Sequence, residues 1–352
     1  MKALVYHGQG KLTLEEKPKP ALKTPTDAIV KITKTTICGT DLHIMKGDLP
    51  AVTKGRILGH EGLGIVDQIG SSVSNFKVGD HVLISCISSC GKCPNCKKGM
   101  YSHCENGGGW ILGNLIDGTQ AEYVRIPFAD NSLYPITDGA DEEAFVMLSD
   151  ILPTGFECGV LNGKVSPGDT VAIVGGGPIG LAALLTAQFY SPSEIIVIDV
   201  DDNRLEVAKS FGATQLINNK DGKAVEKVMS LTKKRGVDVA IEAIGIPASF
   251  DVCQDIVTAG GHIANIGVHG KPVQLNINKL WSQNITLTTR LVDTVTTPML
   301  LKTVMSGKIE PKKLITHHFT LDNIIQAYST FGNAMKERAL KVIILNKQMG
   351  QI

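Results

Sequence analysis

The chain has 352 residues and a formal net charge of +1, and 43% of its residues are hydrophobic. Charges this close to balance argue against a surface that binds nucleic acid or a membrane electrostatically, and the length predicts two domains that each bury a core. The opening residues contain no long apolar segment, so we expect no signal peptide.

The first 150 residues predict a β-rich domain. Apolar runs at 28–32, 63–66 and 81–84 are short and are separated by Gly, Asp and Pro. Runs of this length between turn residues are typical of strands. We therefore expect residues 1–150 to form one domain.

From residue 167 the pattern changes to strands that alternate with helices. The predicted strands lie at 171–174, 195–199, 215–217, 237–242, 262–266 and 285–288. Six strands joined by helical crossovers predict a doubly wound parallel sheet over residues 151–291. The uncharged stretch 171–189 is long enough to span a membrane, but a Gly-Gly-Gly-Pro sequence interrupts it, which favours a buried strand, a turn and a buried helix.

The last segment, residues 292–352, predicts helices at 299–305 and 321–331 and a strand at 340–345. A segment this short cannot bury an independent core. We expect it to pack back onto an earlier part of the chain.

A glycine motif follows the first strand of the alternating region and opens a helix. Gly175, Gly177 and Gly180 form the pattern G-x-G-x-x-G, with Pro178 and Ile179 inside it. Glycines at this spacing let the backbone approach a pyrophosphate at the helix N-terminus. The motif therefore predicts a dinucleotide site, and a glycine-rich turn without a ligand is the alternative.

An acidic residue in the same region predicts which dinucleotide binds. Asp199 ends the next predicted strand, where a carboxylate binds ribose hydroxyls and repels a 2′-phosphate. Asp201 and Asp202 add to this repulsion, and Arg204 is the nearest cation. We expect NAD(H) as the coenzyme rather than NADP(H), with Arg204 among the residues that contact it.

Four of the eight cysteines lie close together. Cys90, Cys93, Cys96 and Cys104 form a C-x2-C-x2-C-x7-C pattern, and four thiolates at such spacing can surround one Zn²⁺ as a closed structural site. An iron–sulfur cluster is the main competitor, but its usual spacing ends in x3-C-P. The pattern therefore predicts a structural zinc.

A second set of metal-binding residue types gives a weaker signal. Cys38, His60 and Glu61 include the soft donors that zinc accepts, and a catalytic zinc needs three protein ligands with one position open. Taken singly, a lone cysteine is more often buried packing, and a lone histidine is more often a surface or hydrogen-bonded core residue. Nothing in the residue pattern distinguishes Asp150.

A family resemblance strengthens this second set. Residues 59–73 contain Gly59-His60-Glu61, then Gly64, Gly70 and Val73, at the spacing of a zinc signature. On this segment, the four-cysteine cluster, the glycine motif and Asp199, the chain resembles the zinc-dependent medium-chain alcohol dehydrogenases over essentially its whole length.

The resemblance implies a particular architecture. The first domain would be a GroES-like catalytic domain that carries a structural zinc lobe at about residues 86–108. Residues 151–291 would form a Rossmann domain that binds NAD, and residues 292–352 would return to the catalytic domain. The fold class is then α/β, with a six-stranded parallel sheet beside a β-rich domain.

The resemblance also implies the ligands of a catalytic zinc, which are Cys38, His60 and Asp150. It places Glu61 beside this zinc, able to enter its coordination shell, and Asp41 as the partner that orients the imidazole of His60. Liver-type members have a cysteine where this chain has Asp150. The aspartate resembles the bacterial secondary-alcohol branch, which often lacks the four-cysteine lobe and prefers NADP.

The implied reaction is reversible hydride transfer between an alcohol and a ketone or aldehyde, with zinc as Lewis acid. Thr40 would accept the alcohol proton and relay it to His43, whose imidazole could pass it to solvent. The resemblance further implies that Trp110 forms a wall of the substrate pocket. It assigns the remaining coenzyme contacts to Thr154, Val268 and Lys341, with Thr154 at the nicotinamide and Lys341 at the pyrophosphate.

The resemblance further implies two zinc ions per chain and a homo-oligomer in which a tetramer is favoured over a dimer. A cytoplasmic location is expected because no signal peptide is visible and because clustered cysteines bind metal there more often than they form disulfides. Three alternatives stay open at this point. A polyol or amino-alcohol dehydrogenase of the same superfamily would have a polar pocket, whereas Trp110-Ile111-Leu112 is apolar. A zinc-free quinone reductase would lack both the four-cysteine cluster and Cys38. A non-catalytic NAD-binding redox sensor would hold only the structural zinc.

Overall fold

The computed structural model describes residues 1–137 and 141–346. The chain divides into two compact units, one made of Met1–Asp150 and Asp293–Ile352 and the other of Ile151–Val292. In the described part of the chain, no helix combines the length and the apolar character needed to cross a membrane.

The first part of unit 1 contains eight strands and four short helices. The strands are β1 (Lys2–Tyr6), β2 (Leu12–Glu16), β3 (Ala28–Thr36), β4 (Arg56–Ile57), β5 (Gly62–Ile69), β6 (His81–Ile84), β7 (Tyr123–Ile126) and β8 (Leu133–Pro135). The helices are α1 (Gly39–Lys46), α2 (Pro94–Lys97), α3 (Ala129–Ser132) and α4 (Glu142–Val146), with a 3₁₀ turn at Tyr101–His103. The predicted strands at 28–32, 63–66 and 81–84 lie within β3, β5 and β6.

Unit 2 alternates strands and helices. Its strands are β9 (Thr170–Val174), β10 (Glu194–Asp199), β11 (Gln215–Asn218), β12 (Val237–Glu242), β13 (Val257–Asn265) and β14 (Thr286–Thr289). Its helices are α5 (Ile151–Thr154), α6 (Pro178–Ala187), α7 (Asp202–Ser210), α8 (Ala224–Leu231), α9 (Pro247–Ile256) and α10 (Ile277–Leu280). A π-helical turn follows α5 at Gly155–Leu161, and 3₁₀ turns lie at Gln188–Tyr190 and Trp281–Gln283.

The six strands of unit 2 form one sheet in the order β11-β10-β9-β12-β13-β14. Every neighbouring pair is parallel. This is the strand order of the Rossmann fold, so the predicted fold class is confirmed. Successive strands are added on one side of β9 up to β11 and on the other side from β12 onward, and ligands of such sheets bind at the carboxyl ends of the strands beside this switch point.

The central strands of unit 2, β9, β10 and β12, are almost fully buried, as is typical of a parallel sheet with helices on both faces. Strand β9 and helix α6 account for the long uncharged stretch 171–189, in which the glycine motif forms the turn between them. Apolar residues of β9, β10 and β12 pack with helices α8 and α9 in a single core, centred on Ala172, Ile196, Ala240 and Phe250.

The C-terminal segment of unit 1 contains two strands, β15 (Ile315–Thr320) and β16 (Lys341–Leu345), and three helices, α11 (Thr297–Met305), α12 (Ile324–Gly332) and α13 (Ala334–Glu337). Two 3₁₀ turns precede β15 and α12, at Pro311–Leu314 and Leu321–Asn323. Strand β16 pairs antiparallel with β3, with Ile343 opposite Thr36. The segment thereby extends the sheet formed by the first 150 residues.

Unit 1 holds two sheets. The larger has the order β15-β16-β3-β5-β6-β8, with β7 also paired to β3, and the smaller is β2-β1-β4. Strand β3 is buried on both faces, because one apolar cluster gathers around Val30 and Val82 and another around Ile37 and Val342. These two cores fix the ends of β3 and β5, from which the candidate metal ligands project.

Candidate functional site

Three separate stretches of unit 1 bring one cluster of metal-binding side chains together. Cys38 is the N-cap of α1, directly after β3, and His60 precedes β5. Asp150 comes from the segment after α4. Gly59 makes the turn before His60 with φ +91°, and a Cβ at this position would lie 2.6 Å from Gln120 Cγ, so only glycine fits.

The four donor groups of this cluster converge on one point. The ligand atoms of Cys38, His60, Glu61 and Asp150 all lie within 4.8 Å of one another. Asp150 Oδ2 is 3.3 Å from His60 Nε2 and 3.8 Å from Cys38 Sγ. A sulfur, an imidazole nitrogen and a carboxylate oxygen at this separation form a donor set that suits Zn²⁺.

The charges in this cluster also fit a dication. Burial raises the pKa of the Cys38 thiol, and the Glu61 and Asp150 carboxylates act in the same direction. Burial alone would lower the pKa of His60, but its contacts with Asp150 and Cys38 raise it well above the usual value. Without a cation, burial and mutual repulsion therefore disfavour the anionic forms of these acidic groups, and a bound Zn²⁺ would supply the positive charge that stabilises them and deprotonates a coordinating thiol.

Glu61 is held by a buried ion pair that sequence analysis did not predict. Lys341 Nζ lies 2.8 and 2.9 Å from the two Glu61 carboxylate oxygens and donates to Ile37 O at 3.2 Å. Burial opposes the charge, but Glu61 keeps the pKa of Lys341 above its usual value. Lys341 is 2% exposed, and its ammonium contacts these three acceptors beside the metal-binding groups, while its contact with a pyrophosphate stays a prediction.

Asp41 also differs from its expected role. Its Oδ2 accepts hydrogen bonds from the Cys38 backbone N–H at 2.9 Å and from Gln120 Nε2 at 3.0 Å. Its Oδ1 is buried and has no hydrogen-bond partner among the residues that the structure describes. Asp41 therefore fixes the backbone of the Cys38 turn. Among the described residues its carboxylate makes no hydrogen bond to His60, although the resemblance implied that it would orient this imidazole.

A further cysteine beside the cluster was missed. Cys86, two residues after β6, is buried, and its Sγ lies 3.6 Å from Asp150 Oδ1. Burial and the carboxylates of Asp150 and Glu61 raise the pKa of Cys86 well above its usual value. An isolated cysteine after an apolar strand carries no sequence signal for this contact, because the partner lies 64 residues away.

The two predicted relay residues are both on helix α1. Thr40 Oγ1 lies 3.6 Å from Cys38 Sγ, so the hydroxyl borders the metal cluster. His43 is three residues further and Nδ1 is 2.8 Å from Asp48 Oδ2 near the surface. Residues three apart on a helix share one face, which aligns the hydroxyl and the imidazole.

Trp110 lies next to the same cluster. Its ring is edge-on to the His60 imidazole, with 6.0 Å between ring centroids and 77° between planes. The indole Nε1 is buried without a hydrogen-bond partner in the described structure. The indole thus supplies an apolar wall with one uncommitted donor beside the metal-binding groups.

The four cysteines that were predicted to bind a structural zinc also converge on one point. The sulfurs of Cys90, Cys93, Cys96 and Cys104 lie within 4.8 Å of one another. Backbone N–H groups point at them; for example, the N–H of Cys93 lies 3.4 Å from Cys90 Sγ. Burial opposes ionisation, but hydrogen bonds from Lys92 and Cys93 lower the pKa of Cys90 to about 6. Four sulfurs with backbone donors fit a fully coordinated structural zinc.

The glycine motif of unit 2 has the geometry of a phosphate-binding turn. Gly175 has φ +115°, and a Cβ on Gly180 would lie 1.8 Å from Gly175 O, so the turn and helix α6 approach too closely for any side chain. Gly177 is the N-cap of α6 and makes no side-chain cap, Pro178 is the first helical residue, and Ile179 follows it. The first N–H groups of α6 are thereby left for an anion.

Asp199 and Arg204 adjoin this turn. Asp199 Oδ2 accepts the Gly176 N–H at 2.7 Å, and Oδ1 accepts the Asp201 N–H at 2.8 Å. The guanidinium of Arg204 lies 3.8 Å from Asp199 Oδ2, and its Nη1 is the atom that a Cβ on Gly177 would meet. The acid and the cation therefore both border the turn, as their predicted roles require.

The two remaining predicted coenzyme residues are also in unit 2. Thr154 ends helix α5 where the π-helical turn begins, a feature that is common at functional sites. Val268 is exposed, and its backbone lies against Gly245, where a Cβ would be 2.3 Å from Val268 O.

The fold and these sites together define a two-domain, zinc-binding dehydrogenase.

Comparison with known proteins agrees with this class. Residues 24–138 match the alcohol dehydrogenase GroES-like domain, and residues 178–305 match the zinc-binding dehydrogenase model. An alcohol dehydrogenase from Cupriavidus necator is 38% identical over 371 residues, covering 98% of each chain. The structure of zinc dependent alcohol dehydrogenase 2 from Streptococcus pneumonia, in its apo form, has a TM-score of 0.95 and 58% identity over 99% of each chain.

A third similar structure is rspB from Escherichia coli CFT073, complexed with NADH, with a TM-score of 0.88 and 26% identity over 98% of this chain and 99% of that one. The chain belongs to the zinc-dependent medium-chain alcohol dehydrogenase family. The family resemblance in the sequence and the predicted pairing of a GroES-like with a Rossmann domain are both confirmed.

Proposed function

We propose that the protein is a zinc-dependent, NAD(H)-linked alcohol dehydrogenase that interconverts an alcohol and a ketone or aldehyde. The observation that carries this proposal is the convergence of Cys38, His60 and Asp150 within 4.8 Å, in a chain that also carries a Rossmann sheet with its glycine turn. Met1–Asp150 with the C-terminal segment would hold the substrate site, and residues 151–291 would bind the coenzyme.

Two zinc ions per chain are part of the proposal. The four cysteines would hold one, and Cys38, His60 and Asp150 would hold the other, with Glu61 available as a further ligand. Zinc at the second site supplies Lewis acidity that polarises a substrate oxygen. The nicotinamide supplies the hydride chemistry. The four-cysteine site has no open position and is therefore structural.

Thr40 and His43 are proposed to move the substrate proton. Thr40 borders the metal cluster through its 3.6 Å contact with Cys38 Sγ, so its hydroxyl can hydrogen-bond to a substrate oxygen there. His43 lies one helical turn away and nearer the surface, and Asp48 holds its imidazole at 2.8 Å. An imidazole in that position can exchange a proton with water near neutral pH.

NAD(H) is proposed as the coenzyme because of Asp199. Its carboxylate lies beside the glycine turn, where it would hydrogen-bond ribose hydroxyls and repel a 2′-phosphate. Arg204 would contact the coenzyme from the other side of Asp199. Thr154 and Val268 would contact the nicotinamide half, and the pyrophosphate would bind the N-terminus of α6 at Gly177, Pro178 and Ile179.

The substrate pocket is proposed to be apolar on the side of Trp110. The indole lies edge-on to His60 and packs with apolar residues of unit 1. An alcohol with an alkyl or aryl side is then favoured over a polyol, because burying unpaired hydroxyl groups against this wall would be unfavourable.

The test is NADH oxidation with a panel of aliphatic ketones, aldehydes and keto-sugars, and NAD⁺ reduction with the matching alcohols. We expect carbonyl-dependent turnover with NADH, lost in Cys38→Ser while the circular dichroism spectrum is kept. Turnover confined to keto-sugars would favour the polyol dehydrogenase. No turnover on any carbonyl, with one zinc per chain, would favour the non-catalytic redox sensor.

A cytoplasmic homo-oligomer, with a tetramer favoured over a dimer, completes the proposal. Reduced, metal-binding cysteines suit a reducing compartment. Leu275, Ile277 and Trp281 are exposed in the segment that precedes β14, an edge strand of the sheet, and Trp281 is 74% exposed. Exposed apolar side chains and an open sheet edge are features that association between copies of the chain would cover. Light scattering after size-exclusion chromatography gives the subunit number.

A further inference from the structure

Cys86 has no role in the proposed reaction, yet it makes two contacts with the segment that carries the metal ligand Asp150. Its Sγ lies 3.6 Å from Asp150 Oδ1, and its backbone N–H donates to Ser149 O at 3.0 Å. Ser149 in turn hydrogen-bonds through its hydroxyl to both the N–H and the carbonyl of Gly62, each at 3.1 Å. The segment that carries Asp150 is thereby fixed to the strand that follows His60.

The two oxygens of Asp150 face different partners. Oδ2 points at the other donors, 3.3 Å from His60 Nε2 and 3.8 Å from Cys38 Sγ. Oδ1 points at Cys86 Sγ. The group of four ligand atoms that lie within 4.8 Å of one another does not include Cys86. The thiol therefore adjoins the carboxylate on the side away from the metal position.

We propose that Cys86 is a positioning residue for the metal ligand Asp150, whose Oδ1 accepts the Cys86 S–H so that Oδ2 alone faces the metal. The inference rests on the proposed function, because it requires a metal at Cys38, His60 and Asp150. A thiol is a weak donor, but a carboxylate acceptor strengthens its hydrogen bond.

This contact has a physical consequence for metal binding. Loss of the Cys86 contact would leave the Asp150 carboxylate less restrained from rotating or from binding through both oxygens, which would change the coordination and reduce the room for a substrate oxygen. Groups that orient metal ligands from outside the coordination shell typically contribute tenfold to a hundredfold in metal affinity. We expect the lower end here because sulfur is the donor.

The test uses two pairs of variants that differ in the donor and little else. Cys86→Ser and Cys86→Ala differ by one hydroxyl, and Cys86→Thr and Cys86→Val are equal in shape and differ by the same group. Within each pair the hydroxyl variant is expected to bind Zn²⁺ at the Cys38 site about tenfold more tightly than its partner. Competition with a chromophoric zinc chelator measures this affinity, and Cys38→Ser gives the contribution of the four-cysteine site alone.

Two further measurements separate positioning from packing and from direct ligation. Cys253 is buried in the apolar core of unit 2, so Cys253→Ser should be less stable than Cys253→Ala and should leave Zn²⁺ affinity unchanged. In the Co²⁺-substituted protein, the sulfur-to-cobalt absorption should persist in Cys86→Ala with shifted d–d bands, whereas Cys38→Ser should weaken it.

Equal Zn²⁺ affinity within both Cys86 pairs would overturn the inference, and so would a weakening of the sulfur-to-cobalt absorption in Cys86→Ala as large as that in Cys38→Ser, since Cys86 would then be a ligand. If the unsubstituted chain binds two zinc ions and reduces carbonyls while the pairs are equal, only the inference fails. If it binds one zinc and reduces none, the proposed function fails as well.

Discussion

The buried pair of Lys341 and Glu61 yields a prediction whose magnitude follows from the structure. Both side chains are at most 2% exposed, and Lys341 Nζ contacts both carboxylate oxygens at 2.8 and 2.9 Å. Lys341→Met keeps an unbranched side chain that is one atom shorter, and it leaves the carboxylate buried without its cation. Such a change costs about 3–5 kcal/mol, which in a unit of this size lowers the melting temperature by on the order of 10 °C.

Thermal unfolding followed by circular dichroism measures this loss. Lys341→Arg keeps a cation and should lose less than Lys341→Met. The matched control is Lys220→Met, which removes an exposed pair with Asp202 at 3.1 Å, and it should leave the melting temperature almost unchanged because exposed ion pairs contribute little to stability. In the double variant Glu61→Gln, Lys341→Met the losses should be well below additive, because no uncompensated charge remains.

Equal melting temperatures of Lys341→Met and Lys220→Met would contradict this prediction, because Glu61 would then carry no charge in the folded protein. A bound Zn²⁺ should recover part of the loss, since it offers the Glu61 carboxylate another cation. In the Cys38→Ser background, which removes a ligand of that metal, the same Lys341→Met substitution should therefore cost more.

Three further predictions concern separate parts of the chain. Asp199→Gly should reduce the preference for NADH over NADPH by about tenfold or more, measured as the ratio of kcat/KM values, and an unchanged ratio would remove Asp199 from coenzyme selection. Hydrogen bonds from Thr24 and the backbone, together with Arg125, hold the pKa of the buried Asp27 below its usual value, although burial opposes this. The folded pKa then lies below the unfolded one, so the stabilisation is complete above the unfolded pKa of about 3.9 and is lost as pH falls through the folded pKa. Urea unfolding should therefore find Asp27→Asn less stable by about 2 kcal/mol at pH 7, and a difference that did not shrink below pH 4 would contradict this assignment. Cys96→Ser should lose one zinc per chain and lower the melting temperature, and retention of two zinc ions would exclude Cys96 as a ligand.

The parts of the site that were predictable from sequence depend on residues close together in the chain. The four cysteines need only a short loop to converge, and the glycine turn needs only β9 and α6 around it. Strand β6 was predicted with its observed bounds, His81–Ile84, because turn residues mark both of its ends. Local spacing was sufficient for these features because the local backbone geometry determines them.

The parts that were missed depend on contacts between distant residues. Lys341 meets Glu61 across 280 positions, and Cys86 meets Asp150 across 64. Neither residue type is unusual at its position, so only the tertiary fold gives them partners. Asp41 was expected at His60, but Gln120, which is 79 positions away, and the Cys38 N–H bind its carboxylate instead.

Element boundaries differed for a similar reason. The helix predicted at 321–331 divides into a 3₁₀ turn, Leu321–Asn323, and helix α12, Ile324–Gly332. Its apolar spacing continues through both parts because Leu321 and Ile324 enter the same core of unit 1. Burial sets the pattern that the sequence shows, while the hydrogen-bonding geometry of each turn depends on packing.

The central claim is that Cys38, His60 and Asp150 hold a catalytic zinc in addition to the zinc of the four cysteines. Anomalous diffraction from crystals of the purified protein, recorded on both sides of the zinc absorption edge, tests it directly. We expect two peaks per chain, one enclosed by Cys90, Cys93, Cys96 and Cys104 and one between Cys38, His60 and Asp150. A single peak, at the four cysteines alone, in protein that reduces carbonyls with NADH would contradict it.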